Sequence, residues 1–438
     1  MKQSTPRSAW QVTRKLFNDI HLWLGLASGI IVIVVCLSGT LYVFNTEVKE
    51  MASPELYKAG RIAGAVALPI EELIGKVKAN TGGKVVSIRI PLDPNRTYQF
   101  MVKMKEEKKE GEAAKAPVKE KGDKVKAGKD KPTEGKRPSA FAVNPYTGEV
   151  IGNISETKTA AASFMKTMFS LHRWLLLDKI EKPIFGELEN RKLGSYISGA
   201  ATILFTLGVI TGMIIWFPQR LKSWKQGLKV KWTGSWKRTN HDLHNSLGFY
   251  ACIFLFLMGI TGPQWSFPWY REALRKTLGT YQPEGFEPPK DPVSVIKSGT
   301  AGAPLNIADY IKKADEVLPY SGDYSISLPK DSISAIAITK NKVGFFAPSA
   351  GDKLLLDQYT AGVLKIEVFK DKPFNERISG SIKALHLGDV YGMFTKIIYF
   401  LACLIATSLP ITGTLIWLNK MKKKNKKVKQ KPAMQLSA

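Results

Sequence analysis

Four long apolar segments constrain the fold of this 438-residue chain more than any other feature. They cover residues 22–44, 196–217, 246–267 and 395–418, and few charged residues interrupt them. A helix needs about 20 apolar residues to cross a hydrocarbon core of roughly 30 Å, and each segment has that length. The first segment is long for a cleaved signal peptide, and no small-residue cleavage motif follows it directly. The sequence therefore predicts a membrane protein built on a four-helix transmembrane bundle.

The distribution of the net charge of +27 predicts the orientation of these helices. Lys and Arg are frequent in residues 1–15, 218–240 and 419–438, and the last two stretches contain no acidic residue. Basic residues next to spans stay on the cytoplasmic side, so both termini are expected in the cytoplasm. Nucleic-acid binding is the other usual meaning of such a charge. It is disfavoured because the basic stretches flank spans and therefore fit membrane lipid.

The order of motifs predicts two duplicated halves. His21 and His244 each begin a His-x-x-Leu-Gly motif, and each is followed 18 residues later by the glycine of a Ser-Gly or Thr-Gly pair, Gly39 or Gly262. Later in each half a Leu-His pair precedes a span that carries Ile-Thr-Gly. These residues are His172 with Gly212 in the first half, and His386 with Gly413 in the second.

The segments outside the spans also match each other. Residues 68–157 and 305–368 both give one helical pattern followed by strand-like alternation, which predicts a small α+β module in each half. The lysine-rich insert at about 103–137 has a composition typical of disorder. The predicted divisions of the chain are 1–45, 46–157 (first module), 158–217, 218–240 (basic loop), 241–267, 268–375 (second module), 376–418 and 419–438 (basic tail).

Four of the five histidines fall at two membrane levels. A helix rises about 1.5 Å per residue, so 18 residues cover about 27 Å, close to the hydrocarbon thickness. His21 and His244 are therefore expected at the cytoplasmic ends of their spans. His172 and His386 precede spans that run inward, so they are expected near the opposite surface. The sequence predicts one histidine pair at each level.

Two histidines facing each other inside a helix bundle suit haem iron. Neutral imidazole is a good metal ligand, and bundle cores commonly hold cofactors. Glycine would make room for a flat macrocycle, with Gly39 and Gly262 at the outer level and Gly212 and Gly413 at the inner one. We therefore expect two haem b groups, each with two histidine ligands. Two other readings stay open: interfacial histidines satisfied by water or headgroups, and zinc, for which two histidines without carboxylates or thiolates are few.

Several further residues are weaker candidates. His241 is a lower-ranked alternative to His244 as a ligand. Arg173 at the outer level, and Arg14 or Arg238 at the inner level, would pair with haem propionates or extend to the membrane surface. Asp389 would accept the second imidazole N–H of His386 or begin a helix. The three cysteines all fall inside spans, where they are expected to pack without forming a disulfide: Cys36, Cys252 and Cys403.

The chain resembles the PepSY-associated transmembrane family, the iron-regulated inner-membrane proteins that include bacterial ferrisiderophore reductases. The resemblance covers most of the chain and lies in "IHLWLGLASG…LSG", "LHRWLLL…ITGMIIWFP", "HDLHNSLG…ITG" and "LHLGDVYG…ITGTLIW". It implies PepSY-like modules in the periplasm and haem groups held by span histidines, which here would be His21, His244, His172 and His386. It also implies electron delivery to the periplasmic face, where a ferric siderophore or another ferric chelate is reduced and Fe(II) is released.

Two aspects of this function stay open in the sequence. No Gly-x-Gly-x-x-Gly stretch follows a strand, so the electron donor is expected to be separate, either quinol or a cytoplasmic flavoprotein. The substrate is expected in a cleft between the two modules, above His172 and His386. The competing functions are a membrane-anchored PepSY binding or regulatory protein and an iron or siderophore permease. The permease is disfavoured because the spans show no acid or cation at mid-depth apart from the histidines.

Overall fold

The computed structural model describes residues 9–60, 64–104, 137–218, 224–295 and 304–430, with side chains described from residue 12 to residue 423. Within these ranges four helices are long and apolar enough to cross a membrane: Val12–Tyr42, Asn190–Trp216, Trp236–Trp265 and Gly392–Lys423. Each overlaps one of the four apolar segments. The prediction of four spans is therefore confirmed.

The described residues form twelve α-helices, of which α1, α5, α7 and α12 contain the spans. In chain order they are α1 (Ala9–Tyr42), α2 (Asn45–Ala52), α3 (Ile70–Thr81), α4 (Ala160–Trp174), α5 (Asn190–Trp216), α6 (Trp224–Gly227), α7 (Trp236–Thr261), α8 (Pro268–Thr277), α9 (Ile307–Val317), α10 (Phe374–Gly380), α11 (Ile382–Leu387) and α12 (Gly392–Gln430). Helix α1 packs against α5 and α12, and α7 packs against the same two helices. The four spans thus form a closed four-helix bundle.

Small residues lie inside this bundle and large apolar ones face outward. Ala251, Ala402 and Ala406 are buried between the helices, whereas Trp23, Ile30 and Ile253 are exposed on the outside. Without a hydrophobic driving force between helices in lipid, close approach through small residues is what stabilises such packing. Soluble proteins bury their large apolar side chains, so this arrangement of small residues inside and large apolar residues outside fits a bundle that is surrounded by lipid.

The strands join into a single eight-stranded antiparallel sheet, which we call the sheet domain together with α3 and α9. The strands are β1 (Lys84–Ile90), β2 (Tyr98–Lys103), β3 (Ser139–Val143), β4 (Val150–Asn153), β5 (Gly322–Ser327), β6 (Ile336–Lys342), β7 (Asp352–Leu356) and β8 (Val363–Glu367). Their order across the sheet is β4-β3-β2-β1-β5-β6-β7-β8. The element order predicted for residues 68–157 and 305–368, a helix followed by strands, is present in both segments.

The two predicted modules are not separate bodies. Strand β1 pairs with β5 in continuous antiparallel register from Ser87↔Ser327 to Ile90↔Tyr324. Side chains from both segments, such as Phe100 and Ile338, are buried in one common core. Hydrogen-bonded strands and shared core residues therefore join the modules at the level of the sheet, and the substrate cleft expected between them above His172 and His386 stays a prediction.

Two predicted boundaries also differ from the structure. Helix α7 begins at Trp236, before the predicted start at residue 241, and α12 continues to Gln430, past the predicted end at residue 418. The α12 extension is rich in Lys, which has good helix propensity, so this helix continues after the apolar segment has ended. Most of the lysine-rich insert at about 103–137 lies outside the described residues.

Candidate functional site

The structure brings the four histidines together as two pairs, one at each end of the bundle. The ring centroids of His172 and His386 are 6.2 Å apart, and so are those of His21 and His244. The first pair lies at the end next to the sheet domain, which we call the sheet-side end, and the second lies at the opposite end. Each pair takes one histidine from the N-terminal half and one from the C-terminal half.

Each imidazole lies on the same three-part feature of a neighbouring helix, which we call a ring notch. A ring notch consists of a backbone carbonyl at position i, a Ser or Thr at i+3 and a Gly at i+4. His172 lies on the notch of α1 and His21 on that of α5, whereas His386 lies on the notch of α7 and His244 on that of α12. The notches are Val35/Ser38/Gly39, Gly208/Thr211/Gly212, Met258/Thr261/Gly262 and Leu409/Thr412/Gly413.

The glycine of each notch leaves room for the imidazole ring. A Cβ atom added at Gly39 would lie 3.1 Å from His172 Cε1, and one at Gly212 would lie 3.1 Å from His21 Cε1. The corresponding distances are 3.2 Å from Gly413 to His244 and 3.4 Å from Gly262 to His386. The sequence assigned these glycines to the passage of a macrocycle. The structure instead places each one against a histidine ring at the predicted level.

In the N-terminal half the notches fix the protonated nitrogen directly. His172 Nδ1 lies 2.8 Å from the carbonyl oxygen of Val35, and His21 Nδ1 lies 3.0 Å from that of Gly208. A carbonyl oxygen can only accept a hydrogen bond, so Nδ1 is the nitrogen that carries the proton in both rings. The lone pair is therefore on Nε2.

In the C-terminal half a threonine hydroxyl has the same effect. His386 Nδ1 lies 3.0 Å from Thr261 Oγ1, and His244 Nδ1 lies 2.9 Å from Thr412 Oγ1. The Thr261 hydroxyl donates to the carbonyl of Leu257 at 2.6 Å, and that of Thr412 donates to the carbonyl of Ser408 at 3.0 Å. Because each hydroxyl proton is donated to a backbone carbonyl, the hydroxyl oxygen accepts a hydrogen bond from the histidine Nδ1–H. All four histidines consequently carry the lone pair on Nε2.

These lone pairs are available for a ligand. Among the residues that the structure describes, none donates a hydrogen bond to Nε2 of any of the four histidines. Burial lowers the pKa of His172 and also that of His386, the latter to about 3. Both rings at the sheet-side end are therefore neutral at physiological pH, which is the state in which imidazole binds metals.

The separation within each pair suits one metal ion between the two rings. Metal–imidazole bonds are about 2 Å long. With ring bonds of about 1.35 Å, each ring atom lies roughly 1.1 Å from its ring centroid. A linear arrangement then needs centroids about 6 Å apart, close to the observed 6.2 Å. No cluster of three or more His, Cys, Asp or Glu residues occurs among the described residues, so a zinc site supplied by protein alone lacks ligands here.

A cavity of about 670 Å³ surrounds His172 and His386. Its volume is within the range of about 300–1,000 Å³ that is usual for cofactor pockets. The cavity is lined by apolar and small residues of all four spans and by three cations, Arg173, Lys383 and Lys396. The arrangement is that of a largely apolar slot with two neutral imidazole rings inside it, and with Asp389 as well as the three cations on its lining.

Lys396 is a functional candidate that the sequence analysis missed. It lies within the α12 span, is only 13% exposed, and contacts Glu47 at 2.8 Å and Asp389 at 3.9 Å. The prediction of no acid or cation at mid-depth of the spans concerns neither Asp242, which is buried near the start of α7, nor Lys396, which lies near the start of α12. Its partner Glu47 is 349 residues away in the chain, so no local pattern indicated the pair.

The weaker candidates are placed as follows. Arg173 lines the cavity, where its guanidinium donates to Ser266 Oγ at 3.2 Å and to the carbonyl of Trp265. Burial and the nearby Arg191 lower the pKa of Arg173. Asp389 does not accept from His386, because Thr261 occupies that role. Asp389 does not begin a helix either, since α12 begins at Gly392, so both readings of Asp389 were wrong, and this carboxylate lies 3.9 Å from Lys396 Nζ instead.

At the opposite end, the basic candidates already have protein partners. Arg14 donates to the carbonyl of Ile215 at 3.0 Å, and Arg238 pairs with Asp242 at 2.8 Å. The His241 side chain is 51% exposed and lies 3.6 Å from Asp242, outside the pair formed by His21 and His244. The structure therefore places His241 at the surface of the helix.

The cysteines are free thiols, in agreement with the prediction that they form no disulfide. Cys36 and Cys403 line the cavity around His172 and His386, and Cys403 Sγ lies 3.5 Å from Met258 Sδ. Cys252 is half-buried. Cys36 and Cys403 therefore fill space inside the bundle, as the sequence predicted.

Comparison with known proteins adds the family. Residues 19–420 match the sequence profile of the PepSY-associated TM region. The match includes all four spans, the sheet domain and the four paired histidines. A search of curated proteins found no match to this chain.

Proposed function

Because this membrane protein belongs to the PepSY-associated transmembrane family, we propose that it is a di-haem oxidoreductase of the bacterial inner membrane. In this proposal two duplicated halves pass electrons across the membrane to reduce a periplasmic ferric complex, best a ferric siderophore, and release Fe(II). The sheet domain, with one PepSY-like module from each half, lies in the periplasm. Both termini lie in the cytoplasm.

The observation that carries the proposal is the geometry of the histidines. Two pairs of imidazoles face each other at 6.2 Å between centroids, with Nδ1 fixed by a ring notch and Nε2 free. His172 and His386 would hold one haem b, and His21 and His244 the other. Haem supplies reversible one-electron chemistry, and the reduced metal leaves a chelator that prefers Fe(III).

The protein's own contribution is to hold these ligands without movement. A metal-bound histidine is usually oriented by a hydrogen bond from its second ring nitrogen, and here a carbonyl or hydroxyl of the notch accepts that bond. The notch glycine allows the ring to lie close to the helix, so the ring direction is set by backbone atoms. Such rigid placement suits electron transfer, because little reorganisation is needed when the charge of the site changes.

The distance between the two sites suits transport of electrons across the bilayer. His21 and Gly39, which packs on His172, are 18 residues apart on α1, or about 27 Å at 1.5 Å per residue. The donor at the cytoplasmic end would be quinol or a cytoplasmic flavoprotein. Arg173 and Lys383 on the cavity lining would attract carboxylate groups, including haem propionates.

The proposal competes with two other functions. A permease would have ionisable groups at mid-depth of its spans. The buried Asp242 and Lys396 are near helix ends and are neutralised by Arg238 and Glu47, which does not favour a permease. A purely membrane-anchored PepSY binding protein would not need two notched histidine pairs.

Haem content and substrate reduction test the proposal directly. The protein, produced with an adequate haem supply, is expected to bind two haems per chain with a bis-histidine spectrum. In proteoliposomes with a reductant enclosed at the cytoplasmic end, it should reduce an external ferric chelate, detected by trapping Fe(II). Colourless protein would overturn the proposal in favour of the binding function. Uptake of iron without a change of redox state would favour the permease.

The His241→Ala variant tests the choice between the two neighbouring histidines. His241 is exposed and His244 faces His21, so His241→Ala is expected to retain both haems and an unchanged spectrum. Haem content and spectrum measure this. Loss of one haem in this variant would show that His241, not His244, is the ligand.

A further inference from the structure

The hairpin between β6 and β7 ends in two exposed aromatic rings. Phe345 is 59% exposed and Phe346 is 60% exposed, and neither belongs to the core of the sheet domain. Two neighbouring phenylalanines at a hairpin tip would be costly in water, since fully exposing one such side chain forfeits about 1.5–3 kcal/mol of burial free energy. This position therefore calls for a partner.

The tip is fixed to the beginning of α12. The rings of Phe346 and Tyr391 stack at 4.6 Å with an interplanar angle of 6°, and the ring of Phe394 lies 5.1 Å from Phe346 and 5.8 Å from Phe345. The backbone adds a hydrogen bond from Ser349 N–H to the carbonyl of Val390 at 2.9 Å. The hairpin is thus held against the first turn of a membrane span.

The aromatic tip continues the lipid-facing surface of that span. Exposed apolar residues recur at intervals of three or four along α12 and so lie on one face of the helix. They are Tyr391, Phe394, Ile397, Leu401 and Leu404. The span itself begins at Gly392, so the two phenylalanines lie at the level where the bilayer surface meets the helix.

We propose that Phe345 and Phe346 insert into the membrane surface at the sheet-side end, with the headgroup and upper acyl region of the lipid as their partner. Tyr and Trp are enriched at this depth of a bilayer, and Phe side chains of interfacial helices enter the same boundary. The insertion would anchor the sheet domain beside α12. It would also brace the connection from α11, which carries His386, to α12, where Gly388 and Gly392 have positive φ values of 72° and 51°. The inference stands on the hairpin alone and does not depend on haem.

A fluorescent probe at two matched positions tests the insertion. Ile333 is 57% exposed and lies before the opposite end of β6, which is about 23 Å long at 3.3 Å per residue. Phe346→Cys and Ile333→Cys would each be made in a Cys252→Ala background and labelled with a nitrobenzoxadiazole probe. The Cys252→Ala protein without an introduced cysteine, treated in the same way, would give the background fluorescence. In vesicles containing lipids with a nitroxide in the upper acyl chain, the probe at 346 should be blue-shifted and lose most of its fluorescence.

The probe at 333 should keep the emission of an aqueous probe and resist quenching. Equal emission and equal quenching at both positions would overturn the proposal. If the cysteine variants do not fold, hydroxyl-radical footprinting of the unmodified protein in vesicles gives the same comparison. Oxidation of Phe345 and Phe346 well below that of Ile333 supports insertion, and oxidation in proportion to their exposure contradicts it.

Discussion

Replacing His386 with alanine is expected to reduce the haem content from two groups per chain to one. His386 and His172 share one site, and alanine leaves only one imidazole for it, whereas the pair of His21 and His244 at the other end is untouched. Haem quantification and the absorption spectrum of the purified variant measure this. The remaining haem should keep its bis-histidine spectrum, and reduction of an external ferric chelate in proteoliposomes should be lost.

The His172→Ala variant is the matched test, because it removes the facing ligand of the same site. Its haem content and its remaining spectrum should equal those of His386→Ala. If the two variants lost different spectral components, or if either kept both haems, the assignment of these histidines to one shared site would be wrong. A His21→Ala variant should lose the other component.

The Gly39→Val variant is expected to lose the same haem, although it keeps all four histidines. A Cβ at Gly39 would lie 3.1 Å from both Cε1 and Nδ1 of His172, and valine adds two further methyl groups. The ring must therefore move away from α1 and lose its contact with the Val35 carbonyl, which displaces Nε2. Overpacking of this kind commonly costs about 1–3 kcal/mol in addition. Haem content and spectrum again provide the measurement.

Gly25→Val provides the control on the same helix. Apart from the adjoining backbone of α1, no atom lies within 4 Å of a Cβ built at Gly25, so this variant has the same change in composition and helix propensity without the steric conflict. It should retain both haems. Equal loss in the two variants would indicate a general defect of α1, and retention of both haems in Gly39→Val would contradict the role of the ring notch.

The spans and the histidine pairs were predictable from sequence because both depend on simple spacing. An apolar run of spanning length has few alternatives, and an 18-residue interval on a helix places His21 and Gly39 at opposite levels of a bilayer. The sequence also predicted correctly the level along the bundle at which each glycine lies beside a histidine pair. Their contact with an imidazole rather than a macrocycle depends on how two helices are rotated against each other, and spacing along one helix does not contain that information.

The features that the sequence did not predict depend on interactions between segments that are far apart in the chain. The pairing of β1 with β5 joins residues more than 230 positions apart, and alternation within each strand does not reveal which neighbour it will have. Similarly, the buried Lys396 looks like an interruption of an apolar segment until Glu47 is placed beside it. The choice of Thr261 over Asp389 as the acceptor for His386 also required the helices in their packed positions.

The distribution of the imidazoles has a consequence for assembly. At each end of the bundle one histidine comes from the N-terminal half and the other from the C-terminal half. If the chain were cut in the loop between α5 and α7, each fragment would therefore contain one histidine of each pair. Any group coordinated by both histidines of a pair would then hold the two fragments together. Its binding free energy would appear as a dependence of their association on its concentration.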